Sequence, residues 1–275
     1  MIRRIASTTL AYAILAIALV LAVFPLLWTI STSFKTEIQA NAYPPVLVGF
    51  HPTLANYRYL FASSSNFYQA AETSIAVTAC TTVLAVMIAA PNAYALVRMR
   101  VPARRVLVLL LVLVETMPGI VLVTPLFFIV AALHLYDTWL ALILVYTSQS
   151  IPFATWVLVA FIRGVPIEVE EAAFVDGATR LQTFAHIVLP LVAPGLATVA
   201  IFTAIGSWNQ FLVPVILGEN GAETLTVFVT QFVTEKTIAW GSLSAAVVLV
   251  MAPIVVFVIA AQRYLVKGLT MGSVK

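Results

Sequence analysis

Gly164-Val-Pro-Ile-Glu-Val-Glu-Glu-Ala-Ala-Phe-Val-Asp-Gly-Ala-Thr-Arg-Leu-Gln-Thr-Phe-Ala-His186 is a polar stretch in a chain that is otherwise strongly apolar. The 275 residues are 62% hydrophobic and 9% charged, with a mean hydropathy of +1.06. A soluble domain carries roughly 25% charged residues. No water-soluble fold buries that much apolar surface, so the stretch reads as a cytoplasmic interruption between two membrane helices. Gly164 can end the helix before it, and Pro166 suits the first position of a new one, where its missing N–H would be unpaired anyway. Glu168, Glu170 and Glu171 then fall in the first turns, at the positive end of the helix dipole. Gly177 can adopt the left-handed conformation that ends such a helix, and Thr179 with Gln182 has the spacing of a capping box that opens another. The spacing predicts a helix, a glycine turn and a second helix. Ala172 and Ala173 are small enough for another protein's surface to approach the backbone, with Glu171 and Asp176 supplying charge at the rim of a helix-in-groove contact. The competing arrangement is an amphipathic helix resting on the membrane surface.

Working outward, a membrane-spanning helix needs about 20 predominantly apolar residues. Six windows of that length are predicted, near Leu10 to Ser31, Thr73 to Val97, Val106 to Ala132, Trp139 to Phe161, Ile187 to Phe211 and Ser242 to Arg263. The first belongs to a charge-free run from Ile5 to Phe34, too long for a cleaved signal peptide. Lys and Arg in short loops stay on the cytoplasmic side. With the N-terminus inside, Arg3, Arg4, Arg98, Arg100, Arg104, Arg105, Arg163, Arg180, Arg263, Lys267 and Lys275 are all internal, and only Lys35, Arg58 and Lys236 are external. The expected fold is an all-α membrane protein with six transmembrane helices and both termini cytoplasmic. The net charge of +3 comes from these scattered loop residues rather than a continuous basic face, which argues against nucleic acid and for lipid.

The expected organisation is residues 1–69 as an N-terminal helix with its external loop, 70–264 as the core containing the cytoplasmic segment 164–190, and 265–275 as a cytoplasmic tail. The external Ser33 to Glu72 stretch, with Pro44, Pro45 and Pro52, reads as an ordered loop. In a second external loop, Asn209 to Gly241, the centre from Thr224 to Val233 is a short helix or a strand.

Glu171-Ala172-Ala173, two residues, Asp176-Gly177-Ala178, eight residues, then Ile187-x-Leu189-Pro190 resembles the EAA loop of permease subunits of binding-protein-dependent ABC importers. Phe24-Pro25, Ser33-Phe34-Lys35, Ala55-Asn56-Tyr57, Pro91 with Ala93-Tyr94-Ala95, Pro118-Gly119, Ile151-Pro152-Phe153 and Trp208-Asn209 resemble, in order, the recurring words of the maltose-type carbohydrate importers and of their smaller six-helix subunit. The resemblance implies the type I importer permease fold. It also implies that Glu171, Ala172, Ala173, Asp176, Gly177, Ala178, Leu189 and Pro190 belong to a coupling helix docked in a cleft of an ATPase subunit. The implied partners are a second, different permease subunit, an ATPase dimer and an extracytoplasmic binding protein. No cofactor is expected on this chain, with ATP and Mg held by the partner ATPase; substrate as sugar follows from the resemblance alone.

No Gly-Lys dipeptide occurs, so the phosphate-cradling loop of an ATPase is absent and the motor must be another chain. His51, His134 and His186 are isolated, no Gly-x-Ser-x-Gly elbow exists, and the single Cys80 sits in an apolar run as a packing residue. A catalytic chain is therefore not expected, and no metal site is predicted. Within the membrane, Glu115 lies about nine residues into the third window, about 14 Å along a continuous helix and close to the midplane. It is read as a pathway group bonding a polar substrate, as a charge paired across a subunit interface, or as a protonated acid bonded to a neighbouring helix, through Thr116 or a partner's backbone. Gln149, with Tyr146 and Trp156 on the same helix, is a candidate for lining a carbohydrate path or for interhelical packing. Trp208 and Asn209 are candidates for the pathway and for an interfacial anchor. The alternative function is an ion-coupled secondary transporter using Glu115; a membrane enzyme lacks converging catalytic groups.

Overall fold

The computed structural model describes the backbone of residues 2–62 and 66–271, and side chains at 10–62, 66–260 and Gln262. The charges of Arg3, Arg4, Arg263, Lys267 and Lys275 lie outside the described side chains. The main helices are α1 (Ile2–Ser33), α2 (Phe67–Arg98), α3 (Arg104–Thr116), α4 (Gly119–Ala132), α5 (Trp139–Arg163), α6 (Ile167–Val175), α7 (Arg180–Leu191), α8 (Ala193–Trp208), α9 (Leu212–Leu217) and α10 (Trp240–Met271). No strand occurs among the described residues, only an isolated bridge between Val233 and Ile238. The Thr224 to Val233 region is helical, with Leu225–Phe228 followed by a 3-10 turn at Val229–Phe232. The expected tail at 265–275 continues α10 as helix to Met271.

Four stretches are long and apolar enough to cross a membrane unbroken: Leu10–Ser33, Phe67–Arg98, Trp139–Arg163 and Trp240–Ala260. The remaining two windows are broken, α3 from α4 by a bend of 101° and α7 from α8 by 75°, so the count reaches six when each bent pair is one span. The continuous third helix expected from hydropathy is thus corrected. Proline disfavours the helical conformation of the residue before it and removes a backbone donor. Met117 accordingly turns to φ −71°, ψ 132°, and α4 starts afresh beyond Pro118. Glu115 therefore lies one residue from the end of α3 rather than midway along a continuous span, and its depth does not follow from counting along the window. In the fifth window the chain leaves helix geometry at Val192 (φ −94°, ψ 11°), where Pro194 removes a further donor.

The chain divides into two compact units, Met1–Tyr68 with Phe228–Ala252, and Gln69–Val227 with Pro253–Lys275. Phe228–Ala252 groups with the N-terminal unit. In that unit the Ser33 to Glu72 stretch carries short helices at Glu37–Ala40 and Ala55–Leu60. Buried Asn56 secures it, its side-chain amide donating to the carbonyls of Ser33 and Lys35, both at 2.8 Å. Lys35 is 1% exposed, with its Nζ 4.3 Å from the Trp28 ring centre and 5.2 Å from that of Phe50, and burial lowers its ammonium from the usual lysine range. The two rings supply cation–π attraction in place of water. Glu37 accepts the Ser242 N–H at 3.1 Å, placing a carboxylate at the N-terminus of α10.

The second unit has two buried clusters. One joins Ala89, Ala93 and Tyr94 of α2 to Ala154, Leu158 and Ile162 of α5 and to Val188 and Val199; the other gathers Val123, Leu142, Val145, Tyr146, Val213 and Leu217. Lipid is as apolar as leucine, so helix association in a membrane relies on close packing, which the small residues at the α2–α5 contact permit.

Between α4 and α5, Asp137 holds the loop after α9. Its carboxylate accepts the N–H groups of Glu219, Asn220, Gly221 and Ala222 at 2.7, 3.2, 2.8 and 2.9 Å. Burial alone raises this carboxyl, and the four backbone donors more than offset that, holding it below the usual carboxylate range. The folded value lies below the unfolded one, so the charge-dependent stability is present above the ordinary carboxylate range and lost as pH falls through the lowered value. Asp137→Ala is expected to lower the Tm at pH 7 by an amount corresponding to about 1 kcal/mol after solvent screening. The difference from the parent should shrink at a pH of about 3. Thermal unfolding in detergent at the two pH values measures this, and an undiminished difference at the lower pH would remove the charge from the explanation.

Candidate functional site

The polar segment folds as helix, turn and helix. Gly164 caps α5 in a right-handed conformation (φ −74°), and Pro166 stands at the N-cap of α6, one position earlier than expected. Gly177 is left-handed at φ +88°, which permits its N–H to reach the carbonyl of Phe174 at 3.1 Å and that of Ala178 to reach Ala173 at 2.9 Å. Thr179 and Gln182 form the reciprocal capping box their spacing predicts. A turn of π-helix at Phe184–Val188 then leads to Leu189 and Pro190.

The segment has two faces. Glu171, Ala172, Asp176 and Gly177 are exposed and Ala178 is half-buried. Val175 is 88% exposed and Leu181 74%, so two large apolar side chains flank the Gly177 turn. Ala173 corrects an expectation: it is buried within the chain, and only Ala172 of the alanine pair is accessible. Leu189 packs against the cluster around Tyr94 and Leu158, while Pro190 is exposed. The inward stripe is Glu170 and Ala173, one helical turn apart.

Glu170 was not distinguishable by sequence from the other first-turn acids, and its role is different. It is 2% exposed, and its Oε1 accepts from Arg98 Nε at 2.6 Å while its Oε2 accepts from the Tyr94 hydroxyl at 2.9 Å. Arg98 also donates to the carbonyls of Ile162 and Val165, at 3.2 and 2.5 Å. A buried charge is tolerated when paired and hydrogen-bonded, and here the pairing joins the end of α2, the end of α5 and the body of α6. The Tyr94 ring lies 4.9 Å from Phe184 in the following helix.

The intramembrane candidates gather only in part. Gln149 accepts from the Gln210 side-chain amide at 3.1 Å, and both border a cavity of about 170 Å³ together with Glu115. Glu115 also borders a cavity of about 360 Å³ with Thr116, Trp156 and Arg163. Gln210 was missed by the sequence reading; it follows the Trp208-Asn209 pair by one residue. Tyr146 stands apart, 3% exposed in the Leu142 cluster, with a hydroxyl that meets no partner among the described residues. Trp208 is 5% exposed and edge-on to Phe257, which corrects its reading as an interfacial anchor: an anchoring ring would be open to the membrane surface. Asn209 is exposed and returns its amide to the Ile205 carbonyl at 2.9 Å, closing α8. Among the described residues no group of three His, Cys, Asp or Glu side chains is placed to hold a metal.

Residues 81–271 match the family described as the binding-protein-dependent transport system inner membrane component. The trehalose transport system permease protein SugB of Mycobacterium tuberculosis is 39% identical over 259 residues, covering 92% of this chain and 93% of that one. The sulfoquinovosyl glycerol transport system permease protein SmoH of Agrobacterium fabrum is 36% identical over 261 residues, covering 94% and 91%. In fold, the chain is similar to a component of a bacterial ABC transporter involved in import of the acidic polysaccharide alginate, with a TM-score of 0.80 at 22% identity over 95% of this chain and 96% of that one. These relatives are transport subunits rather than enzymes in their own right, and they favour a binding-protein-dependent system over an ion-coupled one. With its apolar spans, its bent helix pairs and a match over most of its length, the chain belongs to the family of binding-protein-dependent transport system inner membrane components.

Proposed function

We propose that this chain forms half of the translocation pathway of an ATP-driven carbohydrate importer and docks its motor through residues 164–190. The observation that carries the docking is the pairing of a projecting tip with a fixed base. Val175, Leu181, Glu171 and Asp176 are presented around the left-handed Gly177, while Glu170 is held to α2 and α5 through Tyr94 and Arg98. Apolar knobs with a charged rim suit a cleft on another protein. A base held by ion-pair and carbonyl contacts would pass a displacement of that cleft to the membrane helices rather than absorb it. ATP and Mg would be bound by the partner ATPase dimer, whose closure moves the segment and switches the pathway between its two sides. A second, different permease subunit would supply the other half, and an extracytoplasmic binding protein would deliver substrate. The excess of Lys and Arg in one set of loops supports placing both termini, and this segment, in the cytoplasm. Carbohydrate as substrate is supported by the names of several relatives, for trehalose, for trehalose and maltose, and for diacetylchitobiose.

Gly177→Val forces a β-branched residue into a conformation that costs L residues about 1–2 kcal/mol. Nothing lies within 4 Å of the position a Cβ would take, so the effect acts on the turn rather than on the core. The expected result is normal membrane abundance with ATPase co-purification and uptake both reduced about tenfold or more, the factor that such an energy represents. Glu171→Lys, which reverses a rim charge, should act in the same direction. If both variants bind the ATPase and import at the parent level, the docking assignment fails.

A further inference from the structure

Helix α3 lies on the second unit without being packed into it. None of its 13 residues is buried, and it is flanked by two cavities. One, of about 360 Å³, is bordered on α3 by Val108, Val112 and Glu115; the other, of about 350 Å³, by Leu107, Leu110 and Val114. At about 3.6 residues per turn the two sets fall on adjoining faces of the helix. Leu111, between them, borders both cavities, as do Leu96 of α2 and Thr155 of α5. The interior of a protein leaves few voids larger than a water molecule. Two adjoining spaces of this size call for an occupant that this chain does not itself supply.

Charge gathers at one end of these spaces. Arg98 donates to the Ile162 and Val165 carbonyls, so the ends of α2 and α5 lie at one level. Helix α3 begins at Arg104, six residues beyond Arg98, which brings Arg104 and Arg105 to the same end as Arg163, the last residue of α5. Arg163 borders the larger cavity. Arg104, Arg105 and Arg163 make no ion pair and no side-chain hydrogen bond among the described residues. From Pro152 to Arg163 the larger cavity follows α5 for about 17 Å, close to half of the ~30 Å hydrocarbon core of a bilayer. Glu115, which also borders the cavity shared with Gln149, stands at the far end. The groove is cationic at one end, apolar along its length and anionic at the other.

The geometry points to a seat for one anionic phospholipid of the surrounding bilayer, its phosphate held by Arg163 and Arg104 and its two acyl chains lying in the two cavities beside α3. The guanidinium fork matches phosphate oxygens, and basic pockets between membrane helices hold anionic head groups. The head group of a zwitterionic lipid would carry its own cation against the same arginines. Glu115 sets the direction, because a phosphate at its end of the groove would meet a like charge in a low dielectric. A protein helix laid on α3 could fill one face, but it would have to bring a carboxylate of its own to the arginines; a phospholipid supplies the charge and two chains together. The seat requires only that the chain spans a bilayer, so it stands apart from the importer reading.

The test uses the full chain, alone and assembled with its co-purifying partners, in phosphatidylcholine nanodiscs containing a minor share of phosphatidylglycerol. Native mass spectrometry after release into mild detergent counts the lipid retained. The parent should keep one phosphatidylglycerol and prefer it to phosphatidylcholine about tenfold. The double variant Arg104→Gln with Arg163→Gln should lose that preference, the scale of two guanidinium groups near an anionic head group. Lys236→Gln, in the second external loop, should keep it. Leu111→Trp should abolish retention by filling the junction of the two cavities. Thermal unfolding without added lipid reports whether that variant is folded; the arginine variant, which changes no buried residue, tests the seat if it is not. A phosphatidylglycerol with a photoreactive group in its acyl chain should label residues 106–116 and 152–163. No preference in the parent, an unchanged preference in the arginine variant, or labelling confined to other segments would each overturn the seat. Loss of the lipid on assembly, with α3 cross-linking to a second subunit in its place, would show the groove covered by protein and overturn it as well.

Discussion

Arg98→Ala is expected to be among the most damaging single substitutions in this chain, lowering stability by about 3–5 kcal/mol, because it leaves a carboxylate buried with its cation removed. Glu170 is 3% exposed at its side chain and Arg98 12%, so water cannot replace the lost partner without opening the contact. The same change removes the donor to the Ile162 and Val165 carbonyls at the end of α5. Glu170→Gln should be milder, about 1–2 kcal/mol, since the amide can still accept from Arg98 and the two carbonyl bonds remain. Thermal unfolding in detergent, with membrane abundance beside it, gives the order: parent, Glu170→Gln, then Arg98→Ala. An Arg98→Ala protein no less stable than Glu170→Gln would show that the guanidinium is not what holds the segment.

This ranking also marks where sequence reading ends. The left-handed turn at Gly177 and the Thr179–Gln182 box are local: the residues that make them lie within four positions of one another, and their chemistry announces the geometry. Glu170 and Arg98 are 72 residues apart, and nothing in either neighbourhood says that one acid of three turns inward. Pro118-Gly119 was readable as a helix breaker by the rule that proline restricts the residue before it. A hydropathy window averages over such a break, because the apolar residues on its two sides suffice to fill a span. Trp208 shows the converse: at a helix end tryptophan serves equally as an anchor or as core, and only its packing against Phe257 decides. The six-span count survives because it depends on apolar length, whereas the depth assigned to Glu115 does not because it depends on continuity.

The crossing of α5 and α8 supplies the second large effect. A Cβ at Gly195 would lie 2.5 Å from Cγ of Phe161 and 2.8 and 2.9 Å from the ring atoms beside it. Gly195 is buried, and Phe161 packs against the cluster that contains Leu158, Ile162 and Val199. The ring therefore cannot recede without displacing that cluster, and interiors packed to crystal-like density transmit such strain. Gly195→Val is expected to cost about 1–3 kcal/mol through overpacking and to reduce the amount of folded protein in the membrane. The clash is specific to one partner, so the double variant Gly195→Val with Phe161→Ala should recover stability relative to Phe161→Ala alone, the added methyl groups entering the space the ring vacates. Thermal unfolding of the two single variants and the double variant forms a cycle whose coupling term isolates the contact. Simple additivity would mean that Gly195 is required for its backbone rather than for the close approach of the two helices.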